Sequence, residues 1–589
     1  MTEQRAPAPV GFLDGLLFLV GAGLLTGFLD AGWYALQRMV LHEITFIPPE
    51  ALWVAPPVYA ALFAGLGLPL LALGLVRPAW ASTLAPALAL ALLTATLLFM
   101  FAGNRLATAA LVLLSLGAGI RGGAWVGARF ARRPAGFRRA SLGLLLLALV
   151  GAGAGLWSRR VAPSHGRQVP RLPNVLLIIL DTVRAESLSL YGYPRPTTPR
   201  IDAFARGGVV FDSAISVTSW TLPSHGSMFT GRYHQEISTD WLRPLDAADR
   251  VLAEAFRDAG YSTAGFVANL AYTTRESGLA RGFDTFRDYK FTLGQAWLDC
   301  SLCAGATLRY TGTKRFRRDN EPKTGAEVNA EFLQWLDDRR PERFFVFLNL
   351  FDAHAPRPRM PKDSPWDAGN RLQDRYDYAI SLTDGYVGDL LDSLRTRGLL
   401  DSTLVIIASD HGEHMGEHGL KEHGNSLYLP VLRVPLLLRG PGIPAGVRVP
   451  RLVSLRDLAE TIRATVNLPG PAFPGVSLAP LWQPGEPVAP SPVFAQIIKG
   501  INTPPADPVT HGTMNAVIGN DLHYVLWGDG REELYRLSTD PAQDSNLAVR
   551  PAQQAALDSA RAMLRGLLTP GWQGSAPVPA PGSAGKGGS

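Results

Sequence analysis

The sequence predicts an α-helical transmembrane domain of about five spans, followed by an α/β domain with a mixed, mostly parallel sheet flanked by helices. Three observations lead there. Long charge-free apolar runs are confined to the first 157 residues, all-aliphatic runs of strand length recur after residue 173, and helical stretches alternate with those runs.

Composition narrows the possibilities before any motif is read. At 589 residues the chain holds several folding units, and 47% hydrophobic against 18% charged residues excludes a chain disordered throughout. The net charge of +6 is unevenly placed: residues 1–160 carry twelve Arg against five acids, whereas residues 161–589 carry 44 basic and 45 acidic residues. Basicity confined to a hydrophobic segment reads as membrane topology, and no nucleic-acid partner is expected.

The apolar runs are Val10 to Leu29 with Asp14 near its start, Ala51 to Val76, Ala79 to Phe101, the shorter Leu106 to Ile120, and Ala140 to Trp157. Each of the longer ones can cross about 30 Å of hydrocarbon as a helix. Arg121, Arg129, Arg132, Arg133, Arg138 and Arg139 crowd the loop between the last two runs and mark the cytoplasmic side. Five spans therefore put the N-terminus inside and deliver everything after Trp157 to the periplasm or cell surface. Four further runs follow the first, so a cleaved signal peptide is not expected.

After a linker, residues 158–173, the run NVLLIIL (Asn174 to Leu180) has the pattern of a strand buried on both faces, as do Phe344 to Leu350 and Leu404 to Ala408. Val251 to Ala259, Ala326 to Leu336 and Tyr376 to Arg397 read as helices. The expected organisation is a membrane domain over 1–157, a catalytic domain over 174–475, a C-terminal subdomain over 476–570 and a disordered Gly/Pro/Ser/Ala tail over 571–589.

Ligands of such sheets collect at the carboxyl ends of the strands. Asp181 directly follows NVLLIIL, and Asp410 and His411 lie just beyond the LVIIA strand. Thr221, in SWTLPSHGSMFTGR, precedes Pro223 and falls at or just before a helix N-terminus, where backbone N–H groups favour an anion. A simple N-cap is the competing role for Thr221.

The ordered blocks LDTVRAESLSLYGYPRPTTPRIDAFARGGVVF, TLPSHGSMFTGR, SDHGEHMGEHGLKEHG and LRVPLLLRGPG resemble the signature blocks of the sulfatase family within the alkaline phosphatase superfamily. ELYRLSTDPAQDSNLA is similar to that family's closing subdomain. The anchor with an exported catalytic domain resembles phosphoethanolamine transferases and lipoteichoic acid synthases. The resemblance implies an alkaline phosphatase/sulfatase-like fold in which Asp181, Asp410 and His411 bind one divalent metal and Thr221 is both nucleophile and metal neighbour. It implies that His354 and His423 hold the substrate anion or protonate the leaving group. Two-metal relatives would add Asp352, but the spacing of Asp352 and His354 departs from that pattern.

True sulfatases carry Cys or Ser at the position of Thr221, oxidised to an aldehyde, whereas threonine could yield only a ketone. His225 stands where they have Arg, and Thr182 where they have a second Asp. The expected activity is therefore metal-dependent phosphoester hydrolysis or transfer through threonine. Sulfuric ester hydrolysis is the alternative, and a catalytically inactive lipid-binding regulator is the second. Zinc or manganese suits the ligand set, and calcium is admitted.

Arg184 and Arg232 could meet the substrate anion or form structural ion pairs, and His225 is a further candidate for substrate contact. His414 and His418 read as a solvated polar loop. Membrane lipids or a lipid-linked substrate are the expected partners, and oligomeric state is left open. The only cysteines, Cys300 and Cys303 in CSLC, read as a local disulfide in an exported compartment, with little stability depending on it.

Overall fold

A computed structural model of the chain describes residues 11–568, apart from 42–43, 46, 103–105, 161–171, 291, 311–321, 484–490, 501–502 and 520. Most of the linker over 158–173 and the tail over 571–589 lie outside the described residues. The chain divides into two compact units: Met1–Pro163 with Tyr289–Glu321, and Ser164–Asp288 with Pro322–Ser589.

The first unit is built on five helices long and apolar enough to cross a membrane: α1 (Phe12–Met39), α2 (Ala51–Val76), α3 (Pro78–Ala102), α4 (Thr108–Arg132) and α5 (Pro134–Arg160). Small residues let them approach. A Cβ on Gly23 or Gly27 of α1 would lie 2.5 Å from Tyr59 O or 2.4 Å from Pro56 Cα of α2. Gly119, Gly123 and Gly127 do the same for α4 against α3, the four-residue spacing that membrane helices use for close packing. The fourth span runs well past the apolar stretch over 106–120, because GIRGGAWVGARFAR continues the helix with glycines inward and Arg121 exposed. At one end of the bundle Phe18, Phe130 and Phe137 cluster with centroids 4.7 to 5.5 Å apart. Arg138 pairs there with Asp14 at 2.9 Å. The insertion Tyr289–Glu321 adds two short helices, Leu293–Leu298 and Ser301–Tyr310, joined through a Cys300–Cys303 disulfide.

The second unit is a mixed sheet between helices. Its strands are β1 (Asn174–Leu180), β2 (Val209–Ile215), β3 (Ser262–Val267), β4 (Thr285–Arg287), β5 (Phe344–Leu350), β6 (Thr403–Ala408), the paired β7 (His414–Met415) and β8 (Lys421–Glu422), then β9 (Arg433–Val434), β10 (Leu436–Arg439) and β11 (Val447–Ser454). The main order is β11-β2-β10-β6-β1-β5-β3-β4, with β9 on β2. The central run β6-β1-β5-β3 is parallel, and β10 is antiparallel to both its neighbours.

Strand β5 shows how its residues serve both faces. Phe344, Val346, Leu348 and Leu350 join a core with Val328, Phe332 and Trp335 of the Gly325–Arg339 helix and Tyr376 and Ile380 of the Arg371–Thr396 helix. Phe345 and Phe347 point the other way, stacking on Phe256 at 4.4 Å and meeting Phe229 edge-on at 5.1 Å. Asn349 continues that second face, which the Thr221–Thr230 helix covers. An antiparallel sheet, β12 (Val493–Ile497), β13 (Met514–Gly519), β14 (Leu522–Leu526) and β15 (Glu532–Arg536), packs against the Gln554–Leu568 helix through Val517, Tyr524, Leu557 and Leu564.

Candidate active site

Four parallel strands deliver their polar residues to one edge. Ile179 of β1 is level with Asn349 of β5 and Ala408 of β6, so Asp181, Asn349 and Asp410 converge at the carboxyl ends of neighbouring strands. Asn269 follows β3 at the same edge, its backbone N–H donating to Asn349 Oδ1 at 2.9 Å.

Asp181 is fully buried and half satisfied. Its Oδ2 accepts from Asn269 Nδ2 at 3.0 Å and Asn349 Nδ2 at 3.1 Å, while Oδ1 has no partner. Asp410 repeats the arrangement. Its Oδ1 accepts from the backbone N–H groups of Thr182 at 3.1 Å and His411 at 2.9 Å, and Oδ2 has no partner. His411 is hydrogen-bonded through Nδ1 to Gly412 O at 3.0 Å, and its Nε2 lies 3.4 Å from Asp410 Oδ2. One ligand atom from each of the three residues lies within 4.8 Å of the others.

This is a donor set that a divalent cation fits. Two orphaned carboxylate oxygens and an imidazole nitrogen face one another where burial is complete, and without a counter-charge the anions are disfavoured. Burial, reinforced by Asp410, pushes the Asp181 carboxyl up to about 8; burial pushes Asp410 up to about 7 and His411 down. Among the described residues no other group of three acids, histidines or cysteines meets this geometry.

Hydrogen bonds hold one strained residue in place at the site. Thr182 sits at φ 61°, uncommon for a β-branched residue. Its N–H is fixed by Asp410, its O accepts from Tyr376 Oη at 2.6 Å, and its hydroxyl donates to Asp181 O at 2.7 Å. Its hydroxyl is thereby turned onto backbone, so Thr182 does not replace a carboxylate ligand.

Thr221 is the first residue of the Thr221–Thr230 helix, and Trp220 occupies the cap position. The N-cap role is not the one it takes: Thr221 Oγ1 lies 3.1 Å from His411 Nε2, inside the acid–imidazole cluster. The helix enters directly above the site because Ser224 Oγ donates to Asp410 O at 2.7 Å. His225 lies one turn along, fully buried, with Nδ1 2.8 Å from Thr221 O and 3.7 Å from Asp410 Oδ2, and with Nε2 unpartnered. Burial drives it down to about 4, so it is neutral.

His354 and His423 form the other wall. Their rings are 5.0 Å apart, and His423 is 4.4 Å from His411. His354 stacks on Phe351 at 4.1 Å with Nδ1 2.5 Å from Ala355 O. His423 Nδ1 lies 3.2 Å from Glu413 Oε1, whose other oxygen accepts from Arg357 Nη2 at 3.0 Å. Burial lowers both imidazoles, His354 to about 3 and His423 well below its usual value.

Other candidates take structural places. Arg184 commits its guanidinium to Glu417 Oε1 at 2.6 Å, Ser187 Oγ at 2.8 Å, Gln373 Oε1 and Glu413 O, so the geometry favours the ion-pair role over an anion contact. Arg232 pairs with Asp249. Asp352 accepts from Gly325 N at 2.9 Å at a helix start and lies outside the metal cluster. His414 bonds Ser426 Oγ and His418 stacks on Tyr428, and neither joins the cluster.

Asn269, Asn349, Glu413, Arg357 and Trp220 were not among the residues singled out from sequence. An asparagine inside the otherwise apolar FFVFLNL was the signal for Asn349, because a buried strand carries an amide only when it has a partner. Trp220 borders the site 5.4 Å from His423 and 4.9 Å from Tyr272.

Orphaned carboxylates, a buried imidazole and a hydroxyl at a helix N-terminus, all at the carboxyl edge of an α/β sheet, make a candidate site of the kind metal-dependent hydrolases use. The sulfatase family profile matches residues 173–468, and the chain belongs to that family. It is 26% identical over 419 residues to the ulvan-active sulfatase of Formosa agariphila, covering 65% of this chain and 78% of that protein. It is 31% identical over 262 residues to choline-sulfatase of Rhizobium meliloti, covering 43% and 49%. The structure is similar to the phosphonate monoester hydrolase of Agrobacterium radiobacter, with a TM-score of 0.53, 24% identity and coverage of 67% and 95%. A 2-O glycosaminoglycan sulfatase aligns with a TM-score of 0.52, 19% identity and coverage of 67% and 92%. The protein is thus a sulfatase-family enzyme of the alkaline phosphatase superfamily, preceded by five helices compatible with membrane spans.

Proposed function

We propose that this enzyme cleaves or transfers phosphoesters through Thr221, with its active site outside the cytoplasm. The observation that carries the reading is a secondary alcohol, Thr221 Oγ1, 3.1 Å from His411 Nε2 inside a buried diacid–imidazole cluster. A secondary alcohol cannot become the aldehyde hydrate of formylglycine chemistry, whereas it can attack phosphorus directly.

Asp181 Oδ1, Asp410 Oδ2 and His411 Nε2 would hold the cation. Such an ion supplies charge neutralisation for the attacking oxygen and the incoming anion. The N–H groups of the first turn of the Thr221–Thr230 helix face the oxygens of the transferring group. Thr221 gives up its hydroxyl proton to solvent, its Oγ forms the bond to phosphorus as the bond to the ester oxygen breaks, and that oxygen takes a proton from His423 in its cationic form. Glu413 on Nδ1 and the incoming anion favour the cationic imidazole that burial alone disfavours, and its Nε2–H is then the proton given. The phosphothreonine then passes its group to water or to an acceptor hydroxyl.

The proposed topology rests on charge: Arg129, Arg132, Arg133 and Arg138 lie around the turn between α4 and α5, and Arg138 pairs with Asp14 near the start of α1, which supports a cytoplasmic position for that end. Membrane lipids or a lipid-linked ester fit an enzyme held at the surface. A second reading, sulfuric ester hydrolysis, is favoured by the names of the relatives.

The test is a paired assay of wild type and Thr221→Ala on bis(4-nitrophenyl) phosphate and 4-nitrophenyl sulfate with zinc or manganese. The phosphoester reading expects diester turnover that Thr221→Ala abolishes. Sulfate turnover alone would hand the case to the second reading.

A further inference from the structure

We propose that a groove in the first unit is a lipid site that holds one acyl chain of a membrane lipid. It lies between α2 and the Leu293–Leu298 helix of the insertion. The inference rests on the membrane reading of the five helices and is independent of which ester is cleaved.

The groove has a volume of about 420 Å³ and is lined by Ala61, Leu62, Gly65 and Leu66 of α2 with Leu293 and Trp297 opposite. No charged side chain lines it. Ala61 and Gly65 stand one turn apart and make the concavity, and a Cβ added at Gly65 would meet nothing within 4 Å. Leu293 is 92% exposed and Leu66 48% exposed. Apolar surface of that extent facing an open groove is costly in water and favourable against hydrocarbon.

The second wall is fixed to the bundle by a purpose-built contact. Asp30 of α1 caps the Ser301–Tyr310 helix: its Oδ2 accepts from Ser301 N at 2.9 Å and its Oδ1 from Ser301 Oγ at 2.7 Å. Tyr59 of α2 donates to Asp30 Oδ2 at 2.9 Å and accepts from Leu302 N at 3.1 Å. Two N–H groups that a helix start leaves without intrahelical partners are thus satisfied by side chains of two membrane helices. The Cys300–Cys303 disulfide, fully buried, closes that turn. Trp297 is in turn held by its indole N–H, which donates to Thr307 Oγ1 at 3.0 Å. The groove therefore has two fixed walls.

Its depth matches an acyl chain. With the N-terminus inside, Ala51 opens α2 at the extracytoplasmic side, and at 1.5 Å per residue Ala61 to Leu66 lie about 15 to 22 Å along the helix. The groove thus reaches from the outer leaflet toward the bilayer centre, the path of a lipid tail. Asp30, some nine residues from the outer end of α1, sits at a comparable level.

The experiment uses the full chain in phosphatidylcholine nanodiscs doped with phosphatidylcholine carrying a nitroxide in mid-chain. Electron paramagnetic resonance is expected to show one strongly immobilised lipid per protein. Gly65→Leu should remove that component at least several-fold, whereas Gly117→Leu on α4, a glycine with equally open surroundings, should retain it. No immobilised lipid in the wild type, its survival in Gly65→Leu, its equal loss in Gly117→Leu, or a second protein copy cross-linking through Leu66→Cys in its place would each overturn the proposal. A nitroxide at Leu113→Cys, on the lipid-facing side of α4, checks the membrane reading separately. Collision with oxygen supports that reading, and collision with a water-soluble nickel chelate would overturn it together with the groove.

Discussion

Replacing Asn349 with leucine isolates what the buried amide does for the metal cluster. Its Nδ2 is one of two donors to Asp181 Oδ2, at 3.1 Å, and its Oδ1 accepts the Asn269 N–H at 2.9 Å. Leucine keeps the same branched heavy-atom skeleton and is somewhat larger, so no cavity is left. The change strips a charge-assisted bond from the carboxylate, about 1.5 to 3 kcal/mol, and leaves a buried N–H without a partner, about 1 to 3 kcal/mol. The sum, about 2.5 to 6 kcal/mol, is a large part of the roughly 5 to 15 kcal/mol that holds a domain together. The lost donor also raises the Asp181 carboxyl beyond about 8, so more of it is protonated at neutral pH. Removing a residue that orients a ligand typically costs about 10- to 100-fold in metal affinity. Calorimetric titration of zinc or manganese into chelator-treated wild type and Asn349→Leu at pH 7.5, with melting curves alongside, measures both. Metal affinity within twofold of wild type would refute the reasoning, and a lower melting temperature with intact affinity would assign Asn349 to the fold alone.

Two further outcomes follow from the same geometry. Asp181 and Asp410 are held up to about 8 and about 7, so the metal-free native state keeps protons that the unfolded chain loses near its ordinary carboxylate range of about 4. Stability of the metal-free protein should therefore fall as pH rises from about 4 through about 8, and the thermal stabilisation on adding metal should be larger at pH 8.5 than at pH 5.5. An equal or larger gain at pH 5.5 would contradict it. His423→Ala should cost about 10²- to 10⁴-fold on esters with alkyl leaving groups and little on 4-nitrophenyl esters, because a good leaving group departs without a proton. A uniform loss across leaving groups, read from kcat, would remove His423 from the acid role.

The legible parts of this protein are those whose physics is local. The strand end before Asp181 and the helix start that Pro223 announces at Thr221 are local signals, while the roles assigned to the two residues come from the resemblance to the sulfatase blocks. The five apolar runs foretold five helices long and apolar enough to cross a membrane, though not the full length of α4, whose second half is amphipathic and glycine-lined. What sequence hid depends on distant packing. Asn269, just after β3, and Asn349, on β5, are 80 positions apart and are joined to each other and to Asp181 only by the fold, and Glu413 reads as one charge in a histidine-rich loop until it is seen between Arg357 and His423. Arg184 illustrates the converse: its position beside Asp181 suggests anion binding, and only the fold brings Glu417 and Gln373 to absorb its donors. Nor does any local pattern tell that the Leu293–Leu298 and Ser301–Tyr310 helices leave the sheet to pack with the long apolar helices, since the decisive partner, Asp30, lies some 270 positions away.

The central claim is that Thr221 takes the transferred group. Acid quenching of the enzyme during turnover of a phosphodiester, followed by peptide mass spectrometry, tests it directly. One phosphoryl group is expected on the peptide containing Thr221, enriched when acceptor is scarce and absent in Thr221→Ala. Steady turnover with that threonine never phosphorylated, or with phosphate trapped on another residue, would contradict it.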